Sequence, residues 1–321
     1  MSVIEKYEVH QKRVALRSPF KTALREVSEF DIAQVIINGK GIGEAVGVTA
    51  VMGESTEKIK DDLLSLNLVG ADVTQPADFY HNVISPLNIS EGAKTAIDMA
   101  VRDLKPSKPI SIQSDVTIPI ASRDEYPELF AERSEFSSFK IKLSKEPLSE
   151  LIAKIEIAKE IAPNAPLRVD PNQSWDVAIS IDFLNNLEKR GIVIDYLEQP
   201  TPRNDFEAFK KIKGEVTTLL MADESCFTRE DLLQLIDGGA IDYVNLKILK
   251  HGGVTPTLEL AQLARSAGLK VSIGSMMESE RGVKCAAEIA ALIEPDFIHD
   301  LDAAWWLKGS SLRYEKGVLF T

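Results

Sequence analysis

The chain has 321 residues, 44% of them apolar and 27% charged, with a formal net charge of -12. That length supplies one large domain or two smaller ones with ample core, and the acidic balance argues against binding nucleic acid or an anionic membrane. Two cysteines, Cys226 and Cys285, make neither a CxxC pair nor a disulfide framework, and no run approaches the roughly 18 apolar residues of a membrane span, so a soluble cytoplasmic protein is expected.

The opening residues lack the apolar core of a secretory signal. Val3 to Leu16 alternates weakly, and Ala33 to Ile37 with Gly41 to Val46 reads as a hairpin joined at Asn38-Gly39. Ser18 to Arg25 (SPFKTALR) reads as a loop with an arginine at its end, and Gly47 to Glu54 as a second loop. Helical stretches follow over 55–65 and 90–104, the latter opening on a Ser90 cap. Residues 1–111 therefore read as an α+β unit of their own.

From Ile112 the pattern becomes strand, loop, helix, repeated. Strand ends are expected at Thr117, Lys142, Asp170, Glu198, Asp223, Lys247, Ser272 and Asp300, at intervals of roughly 24 to 28 residues, the size of one βα unit in a (β/α)8 barrel. Leu148, Leu151, Ile152, Ile155 and Ile161 fall at helical spacing, as do Leu232, Leu233 and Ile236. A doubly wound open sheet would carry a glycine-rich phosphate loop after its first strand, and none is present. The fold class is α/β: a modified (β/α)8 barrel over 112–302 with an N-terminal α+β cap and a short segment, 303–321, returning to the cap.

In such a barrel the C-terminal ends of all strands meet at one mouth. One acid there is usually a solvated loop residue, but Asp170, Glu198 and Asp223 stand on consecutive strands, each after an apolar run. Three converged carboxylates need a cation, and hard oxygen donors suit Mg²⁺. The four histidines are scattered, so zinc has no candidate site. In Phe139-Lys140-Ile141-Lys142-Leu143 the two lysines share one strand face, and Lys140 is expected to lower the pKa of Lys142 toward that of a useful base. Lys142 and Lys247, on the second and sixth strands, are about half a turn apart. They could take a proton from one face of a carbon and return it to the other, while a metal-bound carboxylate accepts the charge formed.

These residues resemble the enolase superfamily in its muconate-lactonizing subgroup, and the resemblance spans essentially the whole chain. It rests on the KxK of Lys140 and Lys142, on Asp170 in DPNQ, Glu198 in EQP, Asp223 in DES, and Lys247 in NLK with the later Gly252-Gly253. Within the subgroup the chain is most similar to dipeptide epimerases of the L-Ala-D/L-Glu type. The resemblance implies that one Mg²⁺ per subunit is held by Asp170, Glu198 and Asp223, and that Lys142 and Lys247 are the acid/base pair with Lys140 beside them. It implies that Asp300 and Asp302 receive the ammonium of a dipeptide, a good match for paired carboxylates on one strand face. Ser275, Met276 and Met277 would contact the peptide, Thr117 would face it, and Arg25 would meet an acidic side chain at its second position. Murein peptide metabolism and a homo-oligomer are also implied. Trp305-Trp306 reads chiefly as core packing. The rival readings are a lyase of the same scaffold (o-succinylbenzoate synthase or muconate cycloisomerase type), with no ammonium for Asp300 and Asp302, and a non-catalytic barrel that binds a dipeptide.

Overall fold

The computed structural model describes residues 3–23, 26–105 and 107–321. The cap is built on an antiparallel sheet of β1 (Tyr7–Lys21), β2 (Glu26–Ile37) and β3 (Gly41–Ala45), in that order. Asn38 and Gly39 make the β2–β3 turn with positive φ angles of 55° and 64°, the backbone twist a tight hairpin requires. The first strand is longer than its sequence suggests. After a bulge between Ala15 and Phe20 it runs on to Lys21, so the first half of the expected Ser18–Arg25 loop is strand; Leu24 and Arg25 lie outside the described residues.

Two helices, Thr56–Ser65 and Glu91–Arg102, close the cap. Ser55 and Ser90 cap them, each accepting from a backbone N–H of the first turn. The second buries Ala93, Ala96, Ile97, Ala100 and Val101 in the same apolar cluster as Ala33, Val35 and Ile37. Its polar residues join the cap to the barrel: Asp98 Oδ2 accepts the Thr255 N–H at 2.8 Å, and Thr95 Oγ1 donates to the Ile248 carbonyl at 3.1 Å.

β4 (Ser111–Gln113) pairs not with the barrel but with β13 (Val318–Phe320), which in turn pairs with β12 (Arg313–Glu315). On its way to these strands the chain touches the cap, where Leu307 bridges Leu16 and the Lys308 N–H donates to the Ala15 carbonyl. The barrel proper is a parallel sheet of seven strands: β5 (Val116–Ile118), β6 (Phe139–Lys142), β7 (Leu167–Asp170), β8 (Tyr196–Glu198), β9 (Leu220–Ala222), β10 (Tyr243–Leu246) and β11 (Lys270–Ile273). His299 and Asp300 stand in the eighth position as two isolated bridges, to Ser114 and to Gly274, and complete the ring. The expected modified barrel is thus present, with its last strand reduced to that pair.

Nearly every barrel-strand residue is buried, as expected where helices cover one face and the barrel interior the other. Along β6, Ile141 faces the helical layer's core cluster while Lys140 and Lys142 join the polar interior. In the helix Arg229–Gly238 the buried residues are Leu232 and Leu235; Leu233, placed inside by spacing alone, is 40% exposed. Trp305 and Trp306 are core residues, as read.

Candidate active site

The register of the sheet sets the first contact. Lys142 lies directly beside Asp170 in the β6–β7 ladder, and their side chains form a buried ion pair. Lys140 Nζ is 2.7 Å from both Glu198 Oε2 and Asp300 Oδ2. Lys247, one residue beyond β10, donates to Asp223 Oδ2 at 2.7 Å. Lys140, Lys142, Lys247, Asp170, Glu198, Asp223, Asp300 and Asp302 are all buried, so the strand-end residues predicted from spacing do converge. Thr117, Lys142, Asp223, Lys247, Ser275, Met276, Met277, Asp300 and Asp302 line one cavity of about 70 Å³, together with Phe20, Thr22, Val48 and Val51 of the cap. That is smaller than most ligand pockets, which usually exceed roughly 300 Å³. A larger cleft of about 540 Å³ lies around Arg168, Tyr196, Tyr243 and Phe297, at the opposite ends of the strands, and contains none of these lysines.

The loops that follow β7 and β8 hold the acids in place. Among the described residues five non-glycine residues have positive φ, and three of them, Asn172, Gln173 and Gln199, lie just beyond Asp170 and Glu198. Such backbone persists only where surrounding bonds fix it. Here the Asn172 N–H donates to Asp170 Oδ1 at 2.7 Å, and Gln199 Oε1 accepts the N–H groups of Asp223 and Ser225 at 3.0 and 2.9 Å.

Electrostatics overturn one expectation. Burial and Lys140 do pull the Lys142 ammonium down, but Asp170, Glu198 and Asp300 push it up, and the net shift is upward. Lys247 is likewise raised: burial lowers it, and Asp223 with Asp300 more than compensates. The like-charge effect anticipated for the KxK pair is therefore present but outweighed by carboxylates in direct contact. Burial and the neighbouring Asp170, Asp223 and Asp300 raise Glu198 against the opposing pull of Lys140. Asp300 falls to about 2, burial being overcome by Lys140, Lys247 and Lys142. Asp302 moves the other way, raised by burial and by Asp300. Its Oδ2 accepts the Thr117 N–H at 2.7 Å and Trp306 Nε1–H at 3.0 Å, so the first barrel strand and Trp306 orient it.

Sequence profiles cover both the cap and the barrel. The profile of the enolase C-terminal domain-like family matches residues 124–319, and that of the mandelate racemase / muconate lactonizing enzyme N-terminal domain matches residues 4–109. The chain belongs to the enolase superfamily. An L-Ala-D/L-Glu epimerase of Clostridium acetobutylicum is 30% identical over 313 residues, covering 90% of this chain and 87% of the relative. A substrate-liganded L-Ala-D/L-Glu epimerase of Bacillus subtilis superposes with a TM-score of 0.90 at 26% identity, covering 99% of this chain and 96% of the other. A dipeptide epimerase of Enterococcus faecalis, complexed with Mg and L-Leu-L-Tyr, superposes with a TM-score of 0.87 at 26% identity over 99% and 96%.

Among the described residues of this superfamily member, no three carboxylate, histidine or cysteine groups stand close enough to hold a metal ion as they are; lysine ammonium groups lie against the acids. The donor set nevertheless fits a hard divalent cation. It consists of three buried carboxylates whose mutual repulsion helps raise Glu198, and Glu198 Oε2 has no aligned hydrogen bond even with Lys140 beside it.

Two members of the cluster, Lys250 and Asn245, were not assigned to the site from the sequence. Lys250 Nζ donates to Asp223 Oδ1 at 2.7 Å, and Asn245 Nδ2 donates to Glu198 Oε1 at 2.9 Å and to Asp300 Oδ2 at 3.3 Å. Asn245 was accessible in principle, since it shares a strand face with Lys247. Lys250 sits on the short helix Ile248–His251, and only that turn brings it back over Asp223.

Proposed function

We propose that this protein is a Mg²⁺-dependent dipeptide epimerase that moves the α-proton of the second residue between two faces of the carbon. The reading rests on one observation above all: two buried lysines, Lys142 on β6 and Lys247 beyond β10, stand four strands apart and line one cavity. The curated relatives and the superposed dipeptide epimerases support it.

Asp170, Glu198 and Asp223 would hold the ion, which when bound supplies Lewis acidity for the charge that develops on the substrate carboxylate. Burial pulls Lys142 and Lys247 down, but Asp170 and Asp223, the same acids that would hold the ion, raise them in the ion-free site. One abstracts the α-proton and the other delivers a proton to the opposite face, each acting for one stereoisomer. Lys140, fixed between Glu198 and Asp300, keeps a positive charge where the substrate carboxylate gains electron density. Asp300 and Asp302 receive the free ammonium, Thr117, Ser275, Met276 and Met277 contact the peptide, and Arg25 pairs with an acidic second side chain. The substrate is then L-Ala-L-Glu or its D-Glu diastereomer.

In this reading the cap over 1–111 and the returning segment 303–321 enclose the substrate that the barrel over 112–302 transforms. A cytoplasmic homo-oligomer working on murein peptides is the setting that goes with it. Proton NMR of L-Ala-L-Glu with the protein and Mg²⁺ in D₂O tests the reading. Loss of the Glu α-proton signal with growth of the D-diastereomer is expected. Exchange only in other dipeptides overturns the specificity, and no exchange in any dipeptide overturns the reaction in favour of a lyase.

A further inference from the structure

The loop after β11 joins two cores. Met276 lies in the apolar cluster of the cap with Leu249, while its neighbour Met277 lies in that of the barrel. Both methionines line the site cavity, so the backbone between them determines part of its shape. Ser275 ties one end of the loop to the eighth position: its N–H donates to the Asp300 carbonyl at 2.8 Å and its Oγ to the same oxygen at 3.2 Å.

Glu278 holds the other end. Its Oε1 accepts the Met276 N–H at 3.0 Å, the side chain is 2% exposed, and Oε2 has no partner. Burial pushes this carboxyl up to about 8, against the Met276 N–H and Lys247. The carboxyl can occupy this seat because residue 282 is a glycine. A Cβ there would lie 1.9 Å from Glu278 Oε2 and 2.8 Å from its Cδ. Gly282 is itself in the first turn of the helix Glu280–Ile293, where its N–H donates to Ser279 Oγ at 3.2 Å. The helix start, the glycine gap and the carboxyl thus form one fitted unit behind the loop.

From this geometry we infer that Glu278, seated over Gly282, is a positioning residue: it fixes the Ser275–Met277 backbone in the shape that receives the substrate. This deepens the epimerase reading and rests on it for its kinetic consequences, though not for its structural ones. A carboxyl with no other polar partner inside an apolar junction is costly to bury unless its one hydrogen bond matters, and here that bond goes to the substrate-facing loop.

Three variants separate the possibilities: Glu278→Ala, which removes the acceptor; Gly282→Ala, which displaces it; and Glu278→Gln, which keeps a neutral acceptor of the same shape. Hydrogen exchange of the Met276 amide and steady-state kinetics on L-Ala-L-Glu are measured for each. Met276 exchange should speed up at least about tenfold in Glu278→Ala and Gly282→Ala, and stay near wild type in Glu278→Gln. The first two should raise KM several-fold more than they lower kcat, and Glu278→Gln should restore both. Wild-type exchange rates at Met276 in Glu278→Ala and Gly282→Ala overturn the inference. So does faster exchange with unchanged KM, or an equal loss in all three variants. If the wild type turned over no dipeptide, the epimerase reading would fail, while Met276 exchange would still decide whether Glu278 holds the loop.

Discussion

Replacing Lys140 with methionine should destabilise the metal-free protein strongly, and by an amount that depends on pH. The change keeps most of the side chain's length and apolar stem, so packing is nearly conserved. What is lost is the ammonium standing 2.7 Å from Glu198 Oε2 and from Asp300 Oδ2. Removing one partner of a buried ion pair costs about 3–5 kcal/mol. Asn245 still donates to both acids and Lys247 stays 4.0 Å from Asp300, so the lower end, about 3 kcal/mol, is expected. At about 2–4 °C per kcal/mol for a large domain, the melting temperature should fall by about 6–12 °C. The sign with pH follows from the carboxylates. In the wild type Asp300 is depressed from 3.8 to about 2, so its contribution is present above pH 3.8 and disappears as pH falls through 2. In the variant the orphaned Asp300 rises and the already raised Glu198 rises further. Their contribution is then complete below their unfolded values and lost as pH climbs. The gap between the two proteins should therefore widen from about pH 4.5 to neutrality, and Mg²⁺ should narrow it by supplying charge to Glu198. Calorimetric melts in chelator across that range, repeated with Mg²⁺, provide the measurement. Equal melting temperatures at neutral pH, or a gap that grows toward acid, would refute the reasoning.

Lys142→Ala and Lys247→Ala should each lower epimerisation by about 10²–10⁴-fold, while each retains α-deuterium exchange in a different diastereomer, read by NMR in D₂O; loss of the same exchange in both would remove the two-base assignment. Asp223→Asn should weaken Mg²⁺ binding in calorimetric titration at least about tenfold, because it takes a full charge from the three-carboxylate set, and affinity equal to wild type would remove Asp223 from that set. Asp302→Asn should raise KM for dipeptides more than it lowers kcat, and leave succinylated analogues without an ammonium unaffected; equal losses on both would make Asp302 structural through Thr117 and Trp306. Arg25→Met should raise KM for L-Ala-L-Glu but not for a dipeptide with an apolar second residue, and a uniform effect would count against its assigned partner.

The sequence by itself placed the chemistry at the ends of successive strands. A parallel barrel directs every strand's C-terminus to one mouth, so Lys142, Asp170, Glu198, Asp223, Lys247 and Asp300 could be grouped from spacing alone. The α+β cap, the Asn38-Gly39 turn and the Ser90 cap were legible for a similar reason, since their signals are local. Distances between groups were not legible. Only the tertiary structure showed Lys140 committed to Glu198 and Asp300, and Lys142 and Lys247 raised by the acids beside them despite their burial. It also brought in Lys250, Asn245, Trp306 and Glu278, from a helical turn, a strand face, the returning segment and a loop between two cores. The physical reason is range. Strand periodicity acts within a few residues and is written in the sequence, whereas a buried charge takes its value from every charge within a few ångströms, and those neighbours are chosen by the fold.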